Sequence, residues 1–83
     1  MKQMIRMYTT TYCCDCRRAK RYLNLHQLQF EEINIEEVAG AEEFVILANH
    51  GKRKVPTFEV GGRTFHCSPY DPQKLNRELG LAG

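Results

Sequence analysis

The chain has no apolar run approaching the roughly 20 residues that a membrane-spanning helix needs. Its opening, Met1-Lys2-Gln3-Met4-Ile5-Arg6, lacks both a long apolar stretch and a small-residue cleavage site, which argues against an export signal. No internal repeat, low-complexity segment or linker interrupts it. The formal net charge is only +2, too little to argue for a nucleic-acid partner. These absences point to one cytoplasmic domain over residues 1–83, with no membrane or nucleic-acid partner and nothing that demands more than a monomer.

At 83 residues the core is modest, since a domain this small buries only about 60% of its unfolded surface. The composition, 42% hydrophobic and 27% charged, is ordinary for a globular chain. The four cysteines stand out. In a reducing compartment, close-set cysteines are more often catalytic or metal-binding than structural staples. The charges are also unevenly placed. Arg17, Arg18, Lys20 and Arg21 follow the first cysteines, and Lys52, Arg53 and Lys54 precede Val55-Pro56. Acids gather at Glu31, Glu32, Glu36, Glu37, Glu42 and Glu43. The plain reading is solvated faces. The alternative is two basic clusters flanking one site for an anionic partner.

Periodicity gives a coarse map. Met4 to Tyr8 reads as a short buried strand. A helix starts at Cys13, with Cys16, Ala19, Leu23 and His26 on its inner face. Phe30 to Ile35 reads as a second strand. A helix over 41–48 is expected to bury Phe44, Val45 and Ala48, and Asn49-His50-Gly51 supplies its stop. Thr57–Val60 and Arg63–His66 flank Gly61-Gly62, a strong hairpin signal. Asp71-Pro72 reads as a cap and first residue of a last helix, with Leu75 and Leu79 facing inward. The order β-α-β-α-β-β-α implies an α/β fold: a parallel opening pair, a closing hairpin, and a four-stranded mixed sheet flanked by three helices.

Geometry sorts the cysteines. Residues three apart on a helix lie on one face with Cβ atoms about 5–6 Å apart. Slight tightening brings them to the roughly 3.5–4.5 Å a disulfide needs. Cys13 with Cys14 would close a strained ring, and Cys14 with Cys16 point to nearly opposite sides. Cys13–Cys16 is the favoured local pair. At the helix N-terminus, free N–H groups and the helix dipole favour a thiolate on Cys13. Asp15 opposes this, and Arg17 and Arg18 partly offset it. Cys13 would attack a substrate disulfide, and Cys16 would resolve the mixed disulfide.

These stretches resemble the glutaredoxin family. The matching residues are Tyr8-Thr9, Cys13, Cys16, Ala19-Lys20 and Leu23; Gly51, Val55-Pro56-Thr57-Phe58, Val60 and Gly62; and Tyr70-Asp71-Pro72 with Leu75. The last group is similar to the tail of small glutaredoxin-like redoxins, including those that reduce ribonucleotide reductase. The resemblance implies a thioredoxin-like fold, with Cys13 and Cys16 as the catalytic pair. It makes Pro56 a cis-proline facing the site and Val55 a backbone contact for an extended substrate. It places Arg53 near the glycine carboxylate of glutathione, and Tyr12 matches many members. The chain departs from the family pattern at Thr10, often a lysine, at Lys54, usually threonine, and at His66-Cys67, usually Gly-Gly.

The resemblance thus implies a thiol–disulfide oxidoreductase with no bound cofactor and disulfide-containing proteins as substrates. Its electrons would come from glutathione as co-substrate or from a thioredoxin-reductase-like flavoprotein. Two other readings stand beside it. One is a metal or iron–sulfur site on Cys13, Cys14, Cys16 and Cys67; the other is a dedicated electron donor to one partner such as ribonucleotide reductase. Cys14 and Cys67 are read as accessory residues: Cys14 as an idle surface thiol, a second resolving thiol or a ligand, and Cys67 as a plain small residue or one that approaches Cys13 or Cys14.

Overall fold

Along the first strand Ile5, Met7, Tyr8 and Thr9 are buried and only Arg6 is exposed, so the sheet is covered on both faces there. In the computed structural model, which describes residues 4–80, the elements are β1 (Ile5–Thr9), α1 (Cys14–Leu25), β2 (Phe30–Asn34), α2 (Ala41–Ala48), β3 (Thr57–Val60), β4 (Arg63–His66) and α3 (Pro72–Leu79). The sheet order is β2-β1-β3-β4, with β1 and β2 parallel and the other pairs antiparallel. This is the expected mixed four-stranded sheet with three helices. The first two strands shift by one residue from their expected ends.

On one face Ile5, Met7, Phe58, Val60 and Phe65 pack with Cys16, Ala19, Tyr22 and Leu23 of α1 and Leu75 of α3. Phe58 and Phe65 stack across the hairpin at 5.2 Å between ring centres. On the other face Tyr8 joins Ile35, Ala41 and Val45. The inner residues of α1 differ from expectation at one place. His26 is exposed beyond the helix end, and Tyr22 fills the buried position, its ring 4.3 Å from that of His26. On α2 only Val45 is fully buried of the three apolar residues expected there. Phe44 and Ala48 are half-buried because α2 is short and covers one edge of its face; the Phe44 ring stacks on Tyr8 at 4.8 Å.

Local chemistry sets the ends. Gly61 and Gly62 have φ of 57° and 81°, the left-handed pair that a two-residue hairpin needs. The Asp71 carboxylate accepts from the Gln73 and Lys74 N–H groups at 3.0 and 3.4 Å, with Pro72 opening α3. Buried Asn49, just past α2, donates to the Val45 carbonyl at 2.8 Å and to Thr57 Oγ1 at 3.0 Å. Thr57 Oγ1 donates in turn to the Lys54 carbonyl at 2.6 Å. This chain of bonds fixes α2 to the loop that leads into β3. Replacing Thr57 by Val keeps the shape but removes the acceptor of the buried Asn49 amide and the donor to the half-buried Lys54 carbonyl. Urea unfolding of T57V should therefore show a loss of about 1–3 kcal/mol.

Candidate functional site

Cys13 is the N-cap of α1, in extended backbone, and its Sγ accepts the Cys16 N–H at 3.0 Å. Cys13 and Cys16 are joined as a disulfide with Cα atoms 5.2 Å apart. Cys13 is half-buried, whereas Cys16 is only 2% exposed. A partner can therefore reach the first sulfur but not the second. The unsatisfied N–H groups of the first turn point at Cys13, the place where a helix favours negative charge.

The opposite wall is the segment before β3. The Val55–Pro56 peptide is cis, as the resemblance implied, and Pro56 is buried. The Val55 carbonyl oxygen lies 3.9 Å from Cys13 Sγ. Cys13, Cys16, Val55 and Pro56 are thus brought together. Tyr12 stands out into solvent beside them, 94% exposed. Arg53, two residues before Val55, is engaged elsewhere: its Nε is 2.7 Å from Glu42 Oε2 and its Nη2 3.9 Å from Glu36 Oε2.

The two extra cysteines part company. Cys14 is exposed, and Arg17 Nη2 donates to its Sγ at 3.6 Å. Cys67 is fully buried in the same core as Cys16. Its N–H donates to the Pro56 carbonyl at 2.9 Å, which extends the β3–β4 pairing by one step. Its Sγ lies between the Asp71 N–H, 3.2 Å away, and the Asp71 carbonyl, 3.4 Å away. Burial pushes the Cys67 thiol above its ordinary pKa, so it stays protonated. Among the described residues, no three His, Cys, Asp or Glu side chains gather as a metal ion requires. The proposed Cys13, Cys14, Cys16 and Cys67 set is divided between a disulfide, an outward thiol and a core thiol.

Of the seven basic residues in the two clusters, Arg18, Lys20 and Arg53 pair with carboxylates of the chain. Arg18 lies 3.6 Å from Asp15, and Lys20 Nζ is 3.1 Å from Glu32. His66, half-buried beside Lys54 and Lys74, is held below its usual pKa by burial and then by the two ammonium groups. Sequence reasoning missed three features: the second cis peptide, Ser68–Pro69, the sulfur clasp at Asp71, and the tie from the Thr11 N–H to Glu36 Oε1 at 3.1 Å. The Ser-Pro dipeptide was the only sequence signal for the first; the other two join residues distant in spacing or partnered by backbone.

The glutaredoxin family model matches residues 5–65. The chain belongs to the glutaredoxin family. A glutaredoxin-named protein of Mycobacterium tuberculosis (strain H37Rv) is 40% identical over 77 residues, covering 93% of this chain and 92% of its own. The glutaredoxin-like protein NrdH of Lactococcus lactis subsp. lactis (strain IL1403) is 37% identical over 72 residues, 87% of this chain and 94% of its own. Among solved structures, the NrdH-redoxin of Escherichia coli superposes with a TM-score of 0.73 at 30% identity, covering 89% of this chain and 92% of that one. This glutaredoxin is therefore a thiol oxidoreductase by family, with a cysteine pair able to form a disulfide.

Two expectations follow. With the Cys13–Cys16 disulfide intact, iodoacetamide should add once per native chain, at Cys14, and reach Cys67 only after unfolding; peptide mass mapping reads this directly. The neutral His66 ring contributes stability that is present above its unfolded pKa of about 6.5 and lost as pH falls through its lowered folded value. An NMR titration should place the His66 midpoint below 6.5, and the H66Q variant should lose less stability between pH 7 and pH 5 than the parent.

Proposed function

We propose that this glutaredoxin is a dithiol reductase of protein disulfides, with Cys13 as nucleophile and Cys16 as resolving thiol. The observation that carries this reading is the asymmetry of the pair: an accessible sulfur at a helix N-cap bonded to a buried one a turn further in. In the reduced protein the Cys16 N–H and the first-turn dipole stabilise a Cys13 thiolate. That thiolate attacks a substrate disulfide; one new S–S bond forms and one substrate thiolate leaves. Cys16 then attacks Cys13 Sγ, the second substrate sulfur leaves as thiolate, and the protein disulfide closes. The substrate gains two electrons and two protons, and the protein is left in the oxidised form seen here.

Val55 and Pro56 shape the cleft on the far side of Cys13, where an extended substrate segment can lie along the Val55 backbone. The exposed Tyr12 ring gives that segment an apolar rest beside the sulfur. Reduction of the closed disulfide needs either two equivalents of glutathione or a thioredoxin-reductase-like flavoprotein, in a reducing compartment such as the cytoplasm. No resident cofactor enters the cycle. The 37% identity to an NrdH-named protein supports a narrower version, in which the chain serves one partner such as ribonucleotide reductase. The E. coli neighbour is described as glutaredoxin-like with a thioredoxin-like activity profile, which supports the flavoprotein as donor.

A coupled NADPH assay tests the reading, run once with glutathione and its reductase and once with thioredoxin reductase. Turnover is expected in at least one arm and should vanish in C13S. C16S should instead accumulate a mixed disulfide with substrate, visible as an added mass. Silence of the parent protein in both arms would sink the proposal. Alkylation of the reduced C14S variant against pH should give a Cys13 midpoint below the roughly 8.5 of a free thiol.

A further inference from the structure

The outer face of α1 begins beside the reactive sulfur. Cys13 caps this helix, and Cys14 is its first residue. Residues three, four, seven and eleven positions after Cys14 share its side of the helix. They are Arg17, Arg18, Arg21 and Leu25, and all four are exposed. Leu25 is 75% exposed, on a helix whose opposite side buries Cys16, Ala19, Tyr22 and Leu23.

The arginines are open as well as clustered. Arg17 Nη2 donates to Cys14 Sγ at 3.6 Å, which holds one guanidinium against the residue next to Cys13. Among the described residues, neither Arg17 nor Arg21 pairs with a carboxylate. Arg18 pairs with Asp15 at 3.6 Å, and Asp15 is the only acid on the helix. This face therefore carries three positive charges against one negative.

The densest group of acids lies across the sheet. Glu36, Glu37, Glu42 and Glu43 line a hollow around the start of α2. α2 packs on Tyr8, whereas α1 packs on Ile5 and Met7 from the other side of β1. The net charge of +2 thus conceals two separated fields of opposite sign. An acidic surface is drawn toward α1 and turned away from the α2 hollow.

Spacing along the helix defines what fits. At 1.5 Å of rise per residue, Arg17 and Arg21 lie about 4–5 Å and about 10 Å along the axis from Cys14, and Leu25 about 16 Å. An extended chain covers about 3.3 Å per residue. Carboxylates about one to three residues from a cysteine held at Cys13 therefore match the two free arginines, and an apolar residue near the fifth position matches Leu25.

We infer that the outer face of α1 is a docking surface for an acidic segment of the protein substrate, read by Arg17 and Arg21 and ending on Leu25. The inference rests on the assignment of Cys13 as nucleophile. The segment makes and breaks no bond. It raises the rate at which the substrate disulfide meets Cys13, and its contribution is screened by salt.

The test uses two disulfide-bonded peptides, identical except for Asp and Glu or Asn and Gln at the three positions beside the attacked cysteine. The fully reduced chain is mixed with each, and acid-quenched mass spectra give the second-order rate constant. The acidic peptide should react about fivefold faster than the neutral one at about 0.02 M salt, as two exposed ion pairs supply. The ratio should fall toward one at about 0.5 M, where screening acts within a few ångströms. R17Q/R21Q should bring the low-salt ratio to one, and each single variant should lower it part-way. R77Q, which removes an exposed charge from α3, should leave it unchanged. A parent ratio below twofold overturns the inference, as does a ratio that ignores salt, survives R17Q/R21Q or falls equally in R77Q. Without peptide preference, sedimentation of the parent with phosphatidylglycerol vesicles would give this face to a lipid surface instead. A concentration-dependent mass lost in R17Q/R21Q would give it to the acidic hollow of a second copy. A parent chain that reduces neither peptide would overturn the assignment of Cys13 beneath the inference.

Discussion

The antiparallel pairing of β1 with β3 governs everything at the candidate site. It sets Tyr8 opposite Thr57, so the residues leaving the end of β1 and those entering β3 lie on the same rim of the sheet. The first segment runs into Cys13 and the second arrives from Val55-Pro56. A slip of one residue would move one wall by about 3.3 Å and turn every side chain to the other face. The register is secured by Met7 and Phe58, both fully buried and directly opposed. It is secured again at the rim, where the Pro56 carbonyl accepts the Cys67 N–H and Thr57 Oγ1 joins Asn49 to Lys54. The cleft is thus a product of sheet packing more than of the cysteine motif.

Against that fixed frame the charges are arranged by neighbours distant in the chain. Glu32 on β2 accepts from Thr9 Oγ1 at 2.9 Å and pairs with Lys20 of α1. Asp15, which by spacing opposes a Cys13 thiolate, has Arg18 within 3.6 Å. Of the basic residues read from the sequence as solvated or, alternatively, as flanking a site for an anionic partner, Arg18, Lys20 and Arg53 are paired within the fold.

Much of this was legible in order. The cysteine spacing, the Gly61-Gly62 turn, the Asp71 cap and the strand periodicities are local signals, and each reappears where short-range physics places it. The mixed sheet followed from element order. Long-range matters were not legible. Nothing in the spacing of Cys67 shows that its sulfur would close on the Asp71 backbone, because both contacts are to main-chain atoms four residues on. His26 sits at helical spacing from Leu23, yet α1 ends at Leu25 and leaves it outside. Arg53 carried a family expectation for a ligand, but its two carboxylates come from residues 11 and 17 positions earlier, beyond any local pattern.

The outer strand β2 also bears on how the molecule behaves in a crowd. Its free edge is a row of backbone donors and acceptors that another extended chain could pair with. Its sequence, Phe-Glu-Glu-Ile-Asn, puts two exposed glutamates in the middle of that edge. A second copy laid edge to edge would bring like carboxylates together on both faces of the sheet, a repulsion that opposes pairing of so short a strand. The same glutamates that hold Lys20 and Arg6 thus keep the sheet from growing past its own boundary.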